Sequence, residues 1–169
     1  MNVKPKTKTR LFVIAGIVVA IPVVAIFGLC LFVGLGMTSG HFADTKVLPG
    51  DKLPKLVSKT VTESAGLAPG ERIVYFYSSA FTPKGDGNLL TNKRVISYVD
   101  DGIDQWCESI AIEDIASVHF EQSDNWIDDS TITVVSADGT ELTLFASNEA
   151  DGDAKFAKAI RAAAKLDGR

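Results

Sequence analysis

Residues 131–145 read Thr-Ile-Thr-Val-Val-Ser-Ala-Asp-Gly-Thr-Glu-Leu-Thr-Leu-Phe. Ile132 and Val134 alternate with Thr131, Thr133 and Val135, and Leu142 and Leu144 alternate with Glu141, Thr143 and Phe145. Two β-branched runs of period two joined by Asp138-Gly139 spell a β-hairpin, because that dipeptide accepts the positive φ a tight turn demands. One face of each run is apolar, so the hairpin must lie on a core.

The same pattern extends upstream. Residues 72–78 place Ile73, Tyr75 and Tyr77 on one face and Val74 and Phe76 on the other, a run apolar on both sides that belongs in the middle of a sheet. A loop of turn formers, Thr82-Pro83-Lys84-Gly85-Asp86-Gly87, leads to strands over 88–91 and 94–99, closed by Asp100-Asp101-Gly102. Strands over 106–112 and 115–122 follow, separated by Glu113-Asp114. Downstream of the hairpin the period changes: Phe156, Ala159, Ile160, Ala163 and Leu166 fall on one stripe of a helix from about Asp153. Asp151 and Asp153 suit its positive end, while Lys158, Arg161 and Lys165 suit its negative end. Its stripe is mostly alanine, too thin to insert in lipid, so the helix docks on the sheets.

The other end of the chain is of a different kind. Residues 11–36, from Leu11 to Gly36, carry no charged side chain and follow a tail with Lys4, Lys6, Lys8 and Arg10. A helix of this length crosses a hydrocarbon core of roughly 30 Å, so the run reads as a transmembrane helix, bent mildly at Pro22. It is too long for a signal-peptide core, and Leu29 before Cys30 argues against a lipoprotein site. The four bases ahead of it place the N-terminus in the cytoplasm and the large domain outside. Gly16 and Ala20 form one pair of small residues four apart, compatible with a homo-oligomer. The chain therefore divides into a basic cytoplasmic tail (1–10), a membrane span (11–36), a linker with one short helix marked by Leu53, Leu56, Val57 and Val61 (37–70), and one β domain (71–169). Cys107 is the single cysteine outside the span, so the domain holds no internal disulfide.

Several of these segments carry a family resemblance: Gly70-Glu71-Arg72-Ile73-Val74-Tyr75-Phe76, Asn88-Leu89-Leu90-Thr91-Asn92-Lys93-Arg94-Val95-Ile96-Ser97-Tyr98, Ile110-Ala111-Ile112-Glu113-Asp114-Ile115-Ala116-Ser117-Val118, and Asp138-Gly139 ahead of the helix. From about 72 to 165 the chain resembles the bacterial pleckstrin-homology-like (PH-like) domains. The resemblance implies a mainly β fold, a sandwich or partly open barrel of seven strands capped by the C-terminal helix. It also implies a binding module, since eukaryotic members bind phosphoinositides through bases in and around the first strand-strand loop.

Charge works against that ligand here. The loop supplies Lys84 with Asp86 beside it, and Lys93 and Arg94 are the other nearby bases. From residue 95 to 154 there is no lysine or arginine, against fifteen aspartates and glutamates. Such a surface repels an anionic bilayer and a nucleic-acid backbone alike, which sets phosphoinositides and nucleic acid aside. Lys84, Lys93, Arg94 and the helix bases remain available as one small contact patch, and Trp126, in a polar loop, as an anchor for a partner. Asp100, Asp101 and Asp104, and Asp124, Asp128 and Asp129, lack the register of a calcium loop and read as solvated turns, so no metal is expected. His41 and His119 assemble with no nucleophile and acid, Cys107 reads as a buried thiol and Trp106 as core; no cofactor motif appears, and an enzyme is not expected. Two functions follow: a non-enzymatic module that binds a protein beside the bilayer, or a tethered binder of a small apolar ligand or lipid. A filled core favours the first, a cavity lined by Tyr75, Tyr77 and Phe120 the second.

Overall fold

The computed structural model describes residues 6–125 and 127–166, with side chains from residue 21 onward. It contains two compact units, Met1–Gly36 and Met37–Arg169. The first is helical throughout its described length, as part of α1 (Lys6–Ser39), which incorporates Pro22. From Ile21 to Ser39 this helix is long and apolar enough to cross a membrane. Val24, Phe27, Leu31 and Leu35 all stand exposed on it.

The second unit is two antiparallel sheets and two helices. The first sheet runs in the order β1 (Leu48–Pro49), β2 (Ile73–Tyr77), β3 (Asp86–Thr91), β4 (Arg94–Asp100), β5 (Gln105–Ala111). The second is β6 (Ile115–Glu121), β7 (Ser130–Ser136), β8 (Glu141–Ala146). Helix α2 (Lys55–Ser64) precedes β2, and α3 (Gly152–Ala163) follows β8. The seven strands legible in the sequence are β2 to β8. The eighth, β1, corrects the count: two residues, one of them proline, carry no periodicity, and they are drawn into the sheet by pairing Leu48 with Phe76 and Pro49 with Tyr75.

The hairpin of residues 131–145 forms as its alternation requires. Ile132, Val134, Leu142 and Leu144 are buried, while Gly139 takes φ +86° in the turn. Asp138 fixes that turn by accepting the Ser136 hydroxyl and the Thr140 N–H, and these donors hold its carboxyl down at about 2. In β2 the alternation fails. A register shift between Ile73 and Tyr75 turns Ile73 to the same side as Phe76, away from Tyr75 and Tyr77. An inserted residue rotates the strand by one pleat, which periodicity alone does not reveal.

That switch serves two cores. Between the sheets, Leu90, Val95, Ile132, Val134, Leu144, Phe156 and Ile160 are fully buried, with α3 supplying the last two. On the other side of the first sheet, Phe76, Leu89, Ile96 and Tyr98 pack under Val57 and Val61 of α2. The stretch read as a linker therefore includes a structural layer, and β2, β3 and β4 are apolar on both faces because both faces are covered. Helix α2 stops where Gly66 takes φ +56°, letting the N–H groups of Gly66 and Leu67 reach the carbonyls of Glu63 and Thr62. Gly87 is needed for a different reason: a Cβ there would lie 2.3 Å from the Tyr98 ring, which covers it while donating its hydroxyl to the Pro83 carbonyl.

Candidate interaction site

Cross-strand pairs define rows across the face of the first sheet that looks toward the second. The row Tyr75, Leu90, Val95, Ile110 is apolar and belongs to the core. The next row is Tyr77, Asn88, Ser97, Glu108, and the one after it Asp86, Val99, Trp106. One strand length thus carries this face from a dry core to a polar end. Asn88 and Ser97 are buried and share a hydrogen bond of 3.1 Å; toward the sheet edge Glu108 and Trp106 are exposed.

Two carboxylates close over this polar end. Asp129 accepts the Tyr77 hydroxyl at 2.6 Å, and Asp86 accepts the hydroxyls of Ser78 and Ser79 and the N–H of Ala80. All of these donors are neutral. Burial, followed by Asp86 and Asp128, pushes the Asp129 carboxyl above the ordinary aspartate range against the pull of the Tyr77 hydrogen bond. Burial also raises the Tyr77 hydroxyl, helped by the same Asp129. Beside them a groove of about 740 Å³ is lined by Phe42, Tyr77, Phe81, Ile127, Asp129 and Glu149 among others. The Phe42 and Phe81 rings meet at 4.3 Å between centres, tilted by 44°.

The three candidate bases are not brought together. Lys84 lies in the loop before β3 and Lys93 in the turn after it, so a six-residue strand, roughly 20 Å, separates them. Lys84 pairs with Asp100 at 3.3 Å. Arg94 is engaged within the domain: its guanidinium meets Glu71 at 3.0 and 3.3 Å and donates to the Gly66 carbonyl and the Ser109 hydroxyl. Burial alone would raise the Glu71 carboxyl, but Arg94, the Ala68 N–H and the Thr91 hydroxyl outweigh it and hold it low. Lys93 stays exposed beside a second groove of about 880 Å³, bordered by Ile112, Asp114 and the end of α3. Trp126 lies outside the described residues, as does the side chain of Leu11.

Two side chains depart from the sequence expectation. Trp106 is 42 % exposed, because β5 is the last strand of its sheet and the core row ends at Ile110. Cys107 is exposed as well, although its thiol lies 3.9 Å from the Ala65 carbonyl and partial burial raises its pKa. Alternation shows that a residue is in a strand; it does not show that the strand is an edge. Among the described residues no three His, Cys, Asp or Glu side chains gather as a metal site. Asp101 instead accepts the N–H groups of Ile103 and Asp104 as a turn.

No protein-family model matches this chain, and no curated protein does. Two solved structures are similar to it. One is the N-terminal PH domain of Vps36, at 16 % identity over 59 % of this chain and 83 % of that one, with a TM-score of 0.44. The other is a DUF1696-family protein with a pleckstrin-homology domain from Shewanella loihica PV-4, at 14 % identity over 72 % and 94 %, also with a TM-score of 0.44. Nothing about the site follows from either likeness.

Proposed function

We propose that this chain is a single-pass membrane protein whose PH-like domain, outside the cytoplasm, acts as a non-enzymatic module binding another protein beside the bilayer. The observation that carries the reading is the filled space between the sheets. A sandwich that carries an apolar ligand keeps a cavity there, and here Leu90, Val95, Phe156 and Ile160 occupy it. Recognition then falls to the surface, to which the segment from residue 95 to 154 contributes carboxylates and no lysine or arginine. Such a surface opposes adsorption to anionic lipid, and α1 supplies the membrane residence that the domain's own charge would resist.

Purification of the full chain from membranes in mild detergent tests this. A protein recovered in stoichiometric amount supports the reading, whereas lipid detected by mass spectrometry with no protein overturns it in favour of a lipid or apolar-ligand binder. A reporter fused after Arg169 is expected to be active outside the cytoplasm alone; activity inside reverses the orientation.

A further inference from the structure

We propose that the free edge of β5 accepts one extended, basic strand of the partner protein, with Glu108 setting the charge which that strand must carry. The proposal rests on the protein-binding reading above and names its surface. Strand β5 pairs with β4 from Asp100 opposite Gln105 to Arg94 opposite Ala111 without a register break, and among the described residues nothing pairs with its other side. Such an edge presents a row of backbone donors and acceptors that only another extended chain can satisfy in register.

Two of the other three sheet edges are blunted, and on the third, β8, side chains alternate between exposed and buried. Strand β1 is two residues long and ends in proline. On β6, Arg161 reaches across from α3 and donates to the Val118 carbonyl at 3.0 Å. Strand β5 has no proline, lysine, bulge or covering helix over its outer side, and residues 105 to 109 are all exposed. Cys107 and Ser109 turn toward α2 and Arg94, which leaves Trp106 and Glu108 together on the opposite face.

Those two side chains select the occupant. A second copy, pairing antiparallel over the same seven residues, would set Glu108 directly opposite Glu108, and like charges so placed are destabilising. A lysine or arginine at that position reverses the sign, and the segment from residue 95 to 154 of this chain holds no lysine or arginine of its own. Trp106, two residues away on the same face, takes an apolar neighbour of that base. Backbone bonds thus supply affinity, while one charge and one ring supply discrimination.

The test uses the full chain in nanodiscs of zwitterionic lipid, with hydrogen exchange followed at the β5 amides. The probes are a seven-residue peptide of alternating valine and lysine and its counterpart with glutamate for lysine. The lysine peptide is expected to slow exchange at residues 105 to 109 with a preference of roughly fivefold over the glutamate peptide. The Glu108→Lys variant, at an exposed position that leaves the core intact, is expected to swap that preference. Equal protection by both peptides, protection confined to another surface, or none at all overturns the proposal. So does a preference that Glu108→Lys leaves unchanged. If a partner co-purifies equally with wild type and Glu108→Lys, the edge assignment fails while the protein-binding reading stands; lipid without protein in both removes that reading itself.

Discussion

The two ends of the β3–β4 hairpin treat charge in opposite ways. At the Arg94 end a carboxylate with 1 % exposure, Glu71, receives a guanidinium by two bonds, plus the Thr91 hydroxyl and the Ala68 N–H. At the Asp86 end, Asp86 and Asp129 are held by hydroxyls and an N–H, with no cation among those donors. The first arrangement neutralises its charge internally and fixes where α2's exit, β2 and β4 meet. The second leaves two carboxylates without a bonded cation at the rim of the sandwich, on the β2–β3 side of the sheet. Charge at one end of the hairpin is therefore balanced inside the fold, and at the other it is held by neutral donors.

The largest effect is expected from breaking the first end. Arg94→Met leaves Glu71 buried without its counter-ion and should cost roughly 3 kcal/mol at neutral pH, read by denaturant unfolding in detergent. The folded pKa of Glu71 lies below its ordinary value, so the stability it contributes is present above the ordinary glutamate pKa and is lost as pH falls through the folded one. The deficit of the variant should accordingly narrow in acid. A cost under about 1 kcal/mol would make this end no different from a surface pair and would remove the contrast.

The Asp86 end should respond with the opposite sign. The Asp129 carboxyl is raised, so its contribution to stability is present below the ordinary aspartate pKa and is lost as pH rises through the folded value. Asp129→Asn removes the charge and keeps an oxygen to accept the Tyr77 hydroxyl. The melting temperature should rise by roughly 2 °C at neutral pH, the gain fading toward pH 4. A variant less stable than wild type at neutral pH would mean that this carboxylate is compensated like Glu71.

How much of this was legible in the sequence depends on whether a residue's role is local. β-rich runs between turn signals found β2 to β8, Asp138-Gly139 found its turn, and a spacing of four between Val57 and Val61 found α2. Those signals are carried by neighbours in the chain. Pairing across distance is not: Glu71 and Arg94 lie 23 residues apart and Tyr77 and Asp129 lie 52 apart. Lys84, Lys93, Arg94 and the helix bases were available as one patch, yet the length of β3 carries Lys84 away from Lys93 and Arg94. Trp106 looked like core because alternation does not state which strand is last in its sheet. The acidic run, by contrast, needed no structure, since a charge imbalance this long survives any fold.

The smallest effect is expected at Lys84, and it bears on whether the open end is anionic by design of its own contacts or balanced by that one base. The ammonium is 64 % exposed and 3.3 Å from Asp100, so solvent screens the pair and the flexible side chain loses entropy to hold it. Lys84→Ala should change stability by less than about 0.5 kcal/mol. Asp86 and Asp129 keep their neutral donors in that variant, because neither bonds to Lys84. A loss well above about 1 kcal/mol would show that Lys84 neutralises the rim as Arg94 neutralises Glu71. The field offered to a basic strand at β5 would then be weaker than the acidic composition implies, and the two ends would differ in exposure more than in charge.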